Sequence, residues 1–542
     1  MNFVKIFQYL VFSCILFASV AIKTIGIEDP YFGAHRGRQI HTLSNIDSYF
    51  DPGVSFLKVK SNFIPWPSNE LYEAPLYQYF VYILSPNVEG NPVIARTVNI
   101  VIGLLTSIFV FLIARFLFSD TVALYSLFFF LMSPINILFH PSILPDVLSV
   151  LAGVGAFLFL LKIMSGEKSK INLYGYVFCG FLVAFVKALY LFPVALLFIL
   201  KFLQAIKSGE IKRIVDFFKT NATAIFLTFI VLLAVVAWIS ITYIHSGGHS
   251  QILRHASVFY LEPVKLIKTL FSRILLDLGN PFVALFFIIG VVSIIGKRLL
   301  TPENVLLVCI APIYYTLFPI NHPHEYYSII MVPFFSILSG YGAHRVEMIL
   351  KSDHVVKDGL IFRVVIISCA AVISTLLFFK DNVFSIFNSS KRFHQIAQTV
   401  GRELQQHQYA YLFMNADAQF PDDDPFYKPA DFKARITQRK ILSKDWNQES
   451  SAEIRKSFLA DNLAIHRNIT MHALGQYGPA MILADKETQD FIHAIRDETY
   501  QHYRYFIFYK YKDPSSFESS LKPDCCKLIF HSDDWMVFET KR

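Results

Sequence analysis

Val101-Ile-Gly-Leu-Leu-Thr-Ser-Ile-Phe-Val-Phe-Leu-Ile-Ala-Arg-Phe-Leu117 is followed after a short break by Val122 to Ile137, and then by Val147 to Ile163. Each stretch is apolar nearly throughout and close to the length, about 17 to 25 residues, at which a helix crosses roughly 30 Å of hydrocarbon. Outward from this block the pattern repeats at Phe3 to Ile22, Tyr174 to Val186, Leu191 to Phe202, Ala222 to Ile244, Phe282 to Ile295, Val305 to Ile320, Tyr326 to Tyr341 and Leu360 to Phe379. The fold expected is therefore mainly α, a polytopic α-helical membrane protein with about eleven transmembrane helices. Composition agrees: of 542 residues 54% are hydrophobic and only 17% charged, where about a quarter charged is usual for soluble domains. An ordinary soluble enzyme is excluded. Phe3 to Ile22 has the charge and apolar core of a signal peptide but no clear small-x-small cleavage site, and it reads as an anchor.

The net charge of +8 does not call for a nucleic-acid partner, because Lys and Arg collect where membrane insertion puts them. Lys162/Lys168/Lys170, Lys201/Lys207/Lys212/Arg213/Lys219, Lys297/Arg298 and Arg345/Lys351/Lys357/Arg363 all fall on one side of the alternating spans. That side is cytoplasmic, with the N-terminus. An odd number of spans then places outside the loops 28–92 and 245–281, the short turns at Pro145, Lys187 and His324, and everything after Lys380.

Beyond Lys380 the composition changes. Acidic and amide-rich stretches such as Asp422-Asp423-Asp424 alternate with short aromatic strand-like runs at Tyr409 to Met414, Tyr503 to Tyr509 and Trp535 to Phe538. Residues 1–380 thus form the membrane domain, and 381–542 are expected to form a soluble, extracytoplasmic α/β domain. Cys14, Cys179, Cys309 and Cys369 lie within spans as small apolar groups, and Cys525 and Cys526 are adjacent, with no ligand spacing that suggests structural zinc.

Ionisable residues near a bilayer are costly, so they mark function. Here they gather on the outer side. Glu28-Asp29 is followed by His35-Arg36-Gly37-Arg38-Gln39-Ile40-His41, and a helix over 33–50 would put His35, Arg38 and His41 on one stripe, with Ile40, Leu43, Ile46 and Phe50 on another. An interfacial helix facing lipid headgroups explains this equally well. Glu73 opens a short amphipathic segment with Gln78, Arg96 precedes the next span, and Asp146 starts another; capping accounts for Glu73 and Asp146 at least as economically as a substrate role. Lys187 is different, interrupting two apolar spans with little loop around it, where an anionic partner suits it. Asn321-His322-Pro323-His324-Glu325-Tyr326-Tyr327 sets imidazole, carboxylate and phenol at the same interface, and aromatic belts explain the tyrosines alone. In the loop 245–281, Val264, Ile267, Leu270, Phe271, Ile274 and Leu278 share a face opposite Lys265, Lys268 and Arg273, the pattern of a helix lying on the membrane. A basic, aromatic outer site with a few carboxylates suits a phosphorylated lipid.

The order of these signals resembles the GT-C class of membrane glycosyltransferases, in the branch of protein O-mannosyltransferases and aminoarabinose transferases. It is carried by His35-Arg36-Gly37-Arg38-Gln39, Glu73-Ala-Pro-Leu-Tyr-Gln78, Ala95-Arg96, Ser133-Pro134 with Leu144-Pro145-Asp146, Lys187, and His324-Glu325-Tyr326-Tyr327. The resemblance implies a GT-C fold and an inverting transfer of a sugar from a polyprenyl-phosphate donor to a glycan, lipid or protein acceptor. It assigns Arg38 and Lys187 to phosphate, His324 and Tyr327 to supporting contacts, and His35, Gln39, Glu73, Arg96, Asp146, Glu325 and Tyr326 to the substrate site. Relatives carry an acidic residue shortly after the Arg-Gln pair, where this chain has His41; the catalytic base is therefore left among Asp29, Glu28 and His41, with Asp47 also near. No resident metal is assigned, and a divalent ion at Asp29, Asp146 or His324 stays open. Membrane lipids are the surrounding partners, and a bacterial inner membrane is the expected location. The competing readings are a transporter or flippase of lipid-linked saccharides, which would carry repeats and midplane charges, and a non-catalytic envelope assembly protein.

Overall fold

The computed structural model describes residues 3–25, 27–28, 36–50, 54–57, 73–85, 92–207, 211–245, 263–318, 325–352, 359–378, 410–415, 480–483, 505–509, 526–531 and 535–540. Helices α1 (Phe3–Lys23), α2 (Arg36–Asp47), α3 (Leu76–Leu84) and α4 (Pro92–Leu117) open the chain. They are followed by α5 (Asp120–Leu131), α6 (Pro134–Phe139), α7 (Asp146–Met164), α8 (Lys170–Lys187), α9 (Phe192–Lys207) and α10 (Ile211–His245). The last five are α11 (Pro263–Ser272), α12 (Pro281–Gly296), α13 (Pro302–Leu317), α14 (Val332–Ser352) and α15 (Gly359–Phe378). The molecule is mainly helical and an integral membrane protein. Pro92–Leu117, Asp146–Met164, Lys170–Lys207, Lys212–Thr242 and Tyr326–Ser352 are long and apolar enough to cross a membrane, with shorter apolar helices at Asp120–Leu131, Pro281–Gly296, Pro302–Leu317 and Ile361–Ser374.

Helix starts follow from polar caps set between apolar runs. The side chains of Ser119, Ser169, Asn280 and Thr301 accept from the backbone N–H of Val122, Asn172, Val283 and Asn304, each relieving an orphan donor worth about 1 kcal/mol. The stretch Val122 to Ile137, expected as one span, breaks at Ser133-Pro134, because proline supplies no N–H and disfavours a helical residue before it. Asn136 Nδ2 and Lys23 Nζ then donate to the freed carbonyls of Phe130 and Leu131.

The stretch Lys170–Lys207 folds back on itself. Lys168 reaches the Thr220 carbonyl, the Tyr176 hydroxyl meets Thr228, and Phe185 packs edge-on to Trp238, so α8 climbs parallel to α10. Phe202, near the end of α9, lies against Phe217 and Phe218, back at the level of Lys168. The reversal is a 3-10 turn, Ala188–Leu191, directly after Lys187. It fits because α7 has Gly153 there: a Cβ would come within 2.7 Å of the Tyr190 carbonyl. A similar close approach joins α12 to α14, where a Cβ on Gly342 would collide with the Phe286 carbonyl.

At the other end of these helices lie the ion pairs Lys162–Glu167, Arg115–Asp120 and Lys201–Glu303. Glu347 of α14 is fully buried and accepts from Arg363 of α15, Lys351 and the Tyr125 hydroxyl of α5. Charges so buried persist only when paired and hydrogen-bonded.

The chain divides into two compact units, one of Met1–Glu28, Glu70–Val81 and Pro92–Asp381, the other of Asp29–Asn69, Tyr82–Asn91 and Asn382–Arg542. The second contains α2 and a five-stranded sheet. Strands β1 (Ala410–Asn415), β2 (Ala480–Leu483), β3 (Tyr505–Tyr509), β4 (Cys526–His531) and β5 (Trp535–Thr540) stand in the order β2-β1-β3-β5-β4. β1 pairs parallel to both β2 and β3, whereas β5 runs antiparallel to β3 and β4.

Candidate functional site

The centre of the site in the first unit is Asp146. It is the first residue of α7, and neither it nor Pro145 makes a side-chain cap bond, so capping does not explain it. Its Oδ1 lies 2.6 Å from Lys187 Nζ at the last position of α8 and accepts from the Tyr190 hydroxyl at 2.9 Å. Asp146 Oδ2 is buried and has no hydrogen-bond partner among the described residues. The Lys187 side chain is 19% exposed and that of Asp146 only 2%, so the ammonium is the part of the pair that reaches outward. The cation that Asp146 faces is this ammonium.

Two further elements close around Lys187. Its Nζ stands 5.2 Å from the Tyr326 ring centroid and 4.8 Å from that of Tyr327, in cation–π range. These rings sit on a 3-10 segment, Glu325–Met331, where the sequence predicted the start of a regular helix. The segment is pinned to α13, since the Tyr314 hydroxyl donates to the Tyr327 carbonyl and Tyr315 bonds Ser328. From the other side, the Ala74 N–H donates to the Phe185 carbonyl in the last turn of α8. Glu73 beside it is buried and accepts from Gln78 Nε2 at 3.2 Å.

Arg96 acts one step away. It lies inside α4 rather than ahead of it, fully buried, and its guanidinium donates to the Pro141 carbonyl at 2.7 Å. Asn99, one turn further, donates to the carbonyls of Ser142 and Leu144. Together they hold the turn that delivers Asp146. Asp146, Lys187, Tyr190, Tyr326 and Tyr327 thus form one connected cluster, while Arg96 supports the turn before Asp146 and Glu73 bonds Gln78 next to the segment that meets the end of α8. Sequence reasoning missed Tyr190 and Asn99; the available signal was spacing, three residues after Lys187 and three after Arg96, one helical turn in each case.

The remaining candidates stand elsewhere. Arg38, Gln39 and His41 lie on α2 in the second unit. Arg38 Nη1 is 3.2 Å from His41 Nδ1; a guanidinium can only donate, so Nδ1 accepts and its lone pair is engaged. The helix begins at Arg36 and gives way to a 3-10 turn at Ser48–Phe50. Leu43 and Ile46 are buried as expected, but so are Gln39, His41, Thr42, Asn45 and Asp47. A helix buried on its polar face as well is not a one-sided surface helix. Glu28 is an exposed turn residue after α1. Asp29, His35, His324 and the side chain of Glu325 lie outside the described residues. Among the described residues no three His, Cys, Asp or Glu side chains group as metal ligands.

The same arrangement of helices recurs in solved structures. ArnT from Cupriavidus metallidurans in the apo state matches with a TM-score of 0.56 at 11% identity, covering 97% of this chain and 97% of that one. The chain has a GT-C-type fold. ArnT from the same organism bound to undecaprenyl phosphate matches with a TM-score of 0.53, 11% identity and 97% coverage of both chains. The family model described as dolichyl-phosphate-mannose-protein mannosyltransferase matches residues 73–239, the stretch of this GT-C chain that holds Glu73, Arg96, Asp146, Lys187 and Tyr190. No curated protein matches the chain in sequence.

Proposed function

We propose that this protein is an inverting glycosyltransferase that moves a sugar from a polyprenyl-phosphate donor to a glycan, lipid or protein acceptor on the extracytoplasmic face of the membrane. The observation that carries the reading is the Lys187 ammonium, held by Asp146 inside the region matched by the mannosyltransferase family model and lying over the adjoining rings of Tyr326 and Tyr327. In the proposed reaction the acceptor hydroxyl attacks the anomeric carbon, the bond from that carbon to the phosphate oxygen breaks, and polyprenyl phosphate leaves. The base taking the hydroxyl proton is Asp29, with Glu28 and His41 as alternatives. Lys187 neutralises the charge that develops on the departing phosphate, with Arg38, Tyr327 and His324 as further contacts. The reading includes about eleven spans, a cytoplasmic N-terminus, an extracytoplasmic α/β domain over 381–542 and a bacterial inner membrane.

Mass spectrometry of envelope glycoconjugates and polyprenyl-linked sugars, in cells with and without the gene, tests it. Loss of one sugar from a glycoconjugate together with build-up of a polyprenyl-phosphate monosaccharide, not rescued by Lys187→Ala, is the expected result. Build-up of a longer lipid-linked saccharide facing the cytoplasm would instead indicate a flippase.

A further inference from the structure

Two helices of the bundle end in the same backbone arrangement, with different residues at its critical position. At the end of α7 the N–H groups of Glu167 and Gly166 donate to the carbonyls of Lys162 and Ile163. At the end of α12 those of Leu299 and Arg298 donate to the carbonyls of Ile294 and Ile295. Such a cap needs one left-handed residue, and glycine is the usual choice because an L side chain there crowds the following carbonyl. Gly166 supplies it in the first case, with a φ of 95°. In the second case Arg298 does so, with a φ of 54°, and no other non-glycine among the described residues has a positive φ. The turn is fixed from its far side as well, since Asn304 Nδ2 donates to the Leu299 carbonyl at 2.9 Å and Thr301 caps α13. A side chain kept where glycine is preferred points to a use for that side chain.

The surroundings of Arg298 identify that use. Ile288, Val292, Ile295 and Leu299 are exposed at helical spacing, so one apolar stripe runs down α12 into the turn, and Leu300 is exposed beside it. In a membrane such a stripe faces acyl chains. α12 has 16 residues, about 24 Å of helix against roughly 30 Å of hydrocarbon. The leucines of the turn therefore continue the apolar surface to the level where Lys297 and Arg298 meet headgroups. Both cations are exposed, and neither is in an ion pair among the described residues. Glu303, the carboxylate nearest to them along the chain, is taken by Lys201. Insertion bias explains cations anywhere in this connection; it does not explain one at the position that glycine would fill. Fixed cations beside exposed leucines match a phosphate carried on acyl chains.

We propose that the turn between α12 and α13 binds an anionic phospholipid of the adjoining leaflet, its phosphate meeting Arg298 and Lys297 and its acyl chains lying along Leu299 and Leu300. The site stands at the end of the helices opposite Lys187, and it rests on the placement of these helices in a membrane, not on the transferase reading. The test uses the full-length protein in phosphatidylcholine nanodiscs that carry a small fraction of diazirine-bearing phosphatidylglycerol or, in parallel, diazirine-bearing phosphatidylcholine. Labelled segments are mapped by mass spectrometry after irradiation. In the wild type the segment 297–300 takes more than about tenfold more label from phosphatidylglycerol than from phosphatidylcholine, as two cations at the surface allow. Arg298→Gly lowers that preference about fivefold, the effect of one such cation, and Arg298→Lys retains most of it. In detergent without phosphatidylglycerol, Arg298→Gly unfolds at the wild-type temperature or above, because glycine suits the left-handed position. A purely structural role for Arg298 predicts the opposite, earlier unfolding with labelling unchanged. Equal labelling by the two lipids, a preference unchanged in Arg298→Gly, or a lower unfolding temperature for that variant overturns the proposal. So does loss of labelling in excess free glycerol 3-phosphate, which would assign the turn to a soluble anion.

Discussion

Lys187 Nζ and Asp146 Oδ1 lie 2.6 Å apart, joining the last residue of α8 to the first residue of α7. The pair ties the 3-10 turn of an apolar hairpin to the bundle and fixes one ammonium at its end. Position and charge are thus set by the same contact, and the two roles separate in mutants.

Lys187→Ala leaves the Asp146 carboxylate buried without its counter-charge, which costs about 3–5 kcal/mol. Lys187→Met with Asp146→Asn removes both charges and is expected to recover most of the stability, while polyprenyl phosphate binding stays lost. Thermal unfolding in detergent, beside a lipid-binding measurement, separates the two effects. Recovery of binding by the double variant would contradict the assignment of Lys187 to phosphate.

Asn99→Ala frees the turn at 141–144 by removing the donor to the Ser142 and Leu144 carbonyls. The expected loss is about 1–3 kcal/mol of stability, because buried acceptors go unsatisfied. A fall in transfer rate follows, as Asp146 and Lys187 lose their fixed approach. Transfer at the wild-type rate by the folded variant would show that this turn does not position the site.

Arg363→Met leaves Glu347 with Lys351 and Tyr125 alone. A drop of about 3 kcal/mol in stability is expected, with the transfer rate per folded molecule unchanged, since the network belongs to the opposite end of the helices. Unfolding curves and rates normalised to folded protein check both parts.

Gly342→Val places a branched side chain against the Phe286 carbonyl, where nothing can yield without parting α12 from α14. Overpacking of this kind costs about 1–3 kcal/mol or more. Low yield of monodisperse protein is the expected outcome, and a yield equal to wild type would show that the two helices can separate freely.

Reporter fusions after Lys170 and after Lys380 are expected to report opposite sides of the membrane, with the first cytoplasmic. The same side for both would break the proposed span count.

The helices were legible in the sequence because lipid-facing and core-facing positions are both apolar; among the described residues the apolar stretches are helical, with Val122 to Ile137 divided into two helices and Tyr326 to Tyr341 opening as a 3-10 segment. What periodicity could not show is where a stretch breaks. The break at Pro134 divides a stretch expected as one span, whereas the turn at Lys187 was expected between two spans and is found there; what the sequence did not show is that this turn packs against Gly153, a residue of a different helix. Lys187 stood out because a lone cation among apolar residues is costly. Its partner did not: Asp146 looked like a cap, since a carboxylate in a helix's first turn has a local explanation that conceals a long-range one. Tyr190 was hidden for a similar reason, as one aromatic residue among many near an interface. Arg96 was recognised as unusual but not as structural, because its acceptor is a backbone carbonyl, which sequence does not advertise.

The most direct test of the central claim is a single-turnover assay with purified full-length protein in proteoliposomes, using polyprenyl phosphate that carries an isotopically labelled sugar and an extract of envelope acceptors. The account predicts that the wild type moves label to an acceptor with stoichiometric release of polyprenyl phosphate, and that Lys187→Ala does neither. Unchanged labelled donor with wild-type protein, or donor that crosses the bilayer intact, would contradict it.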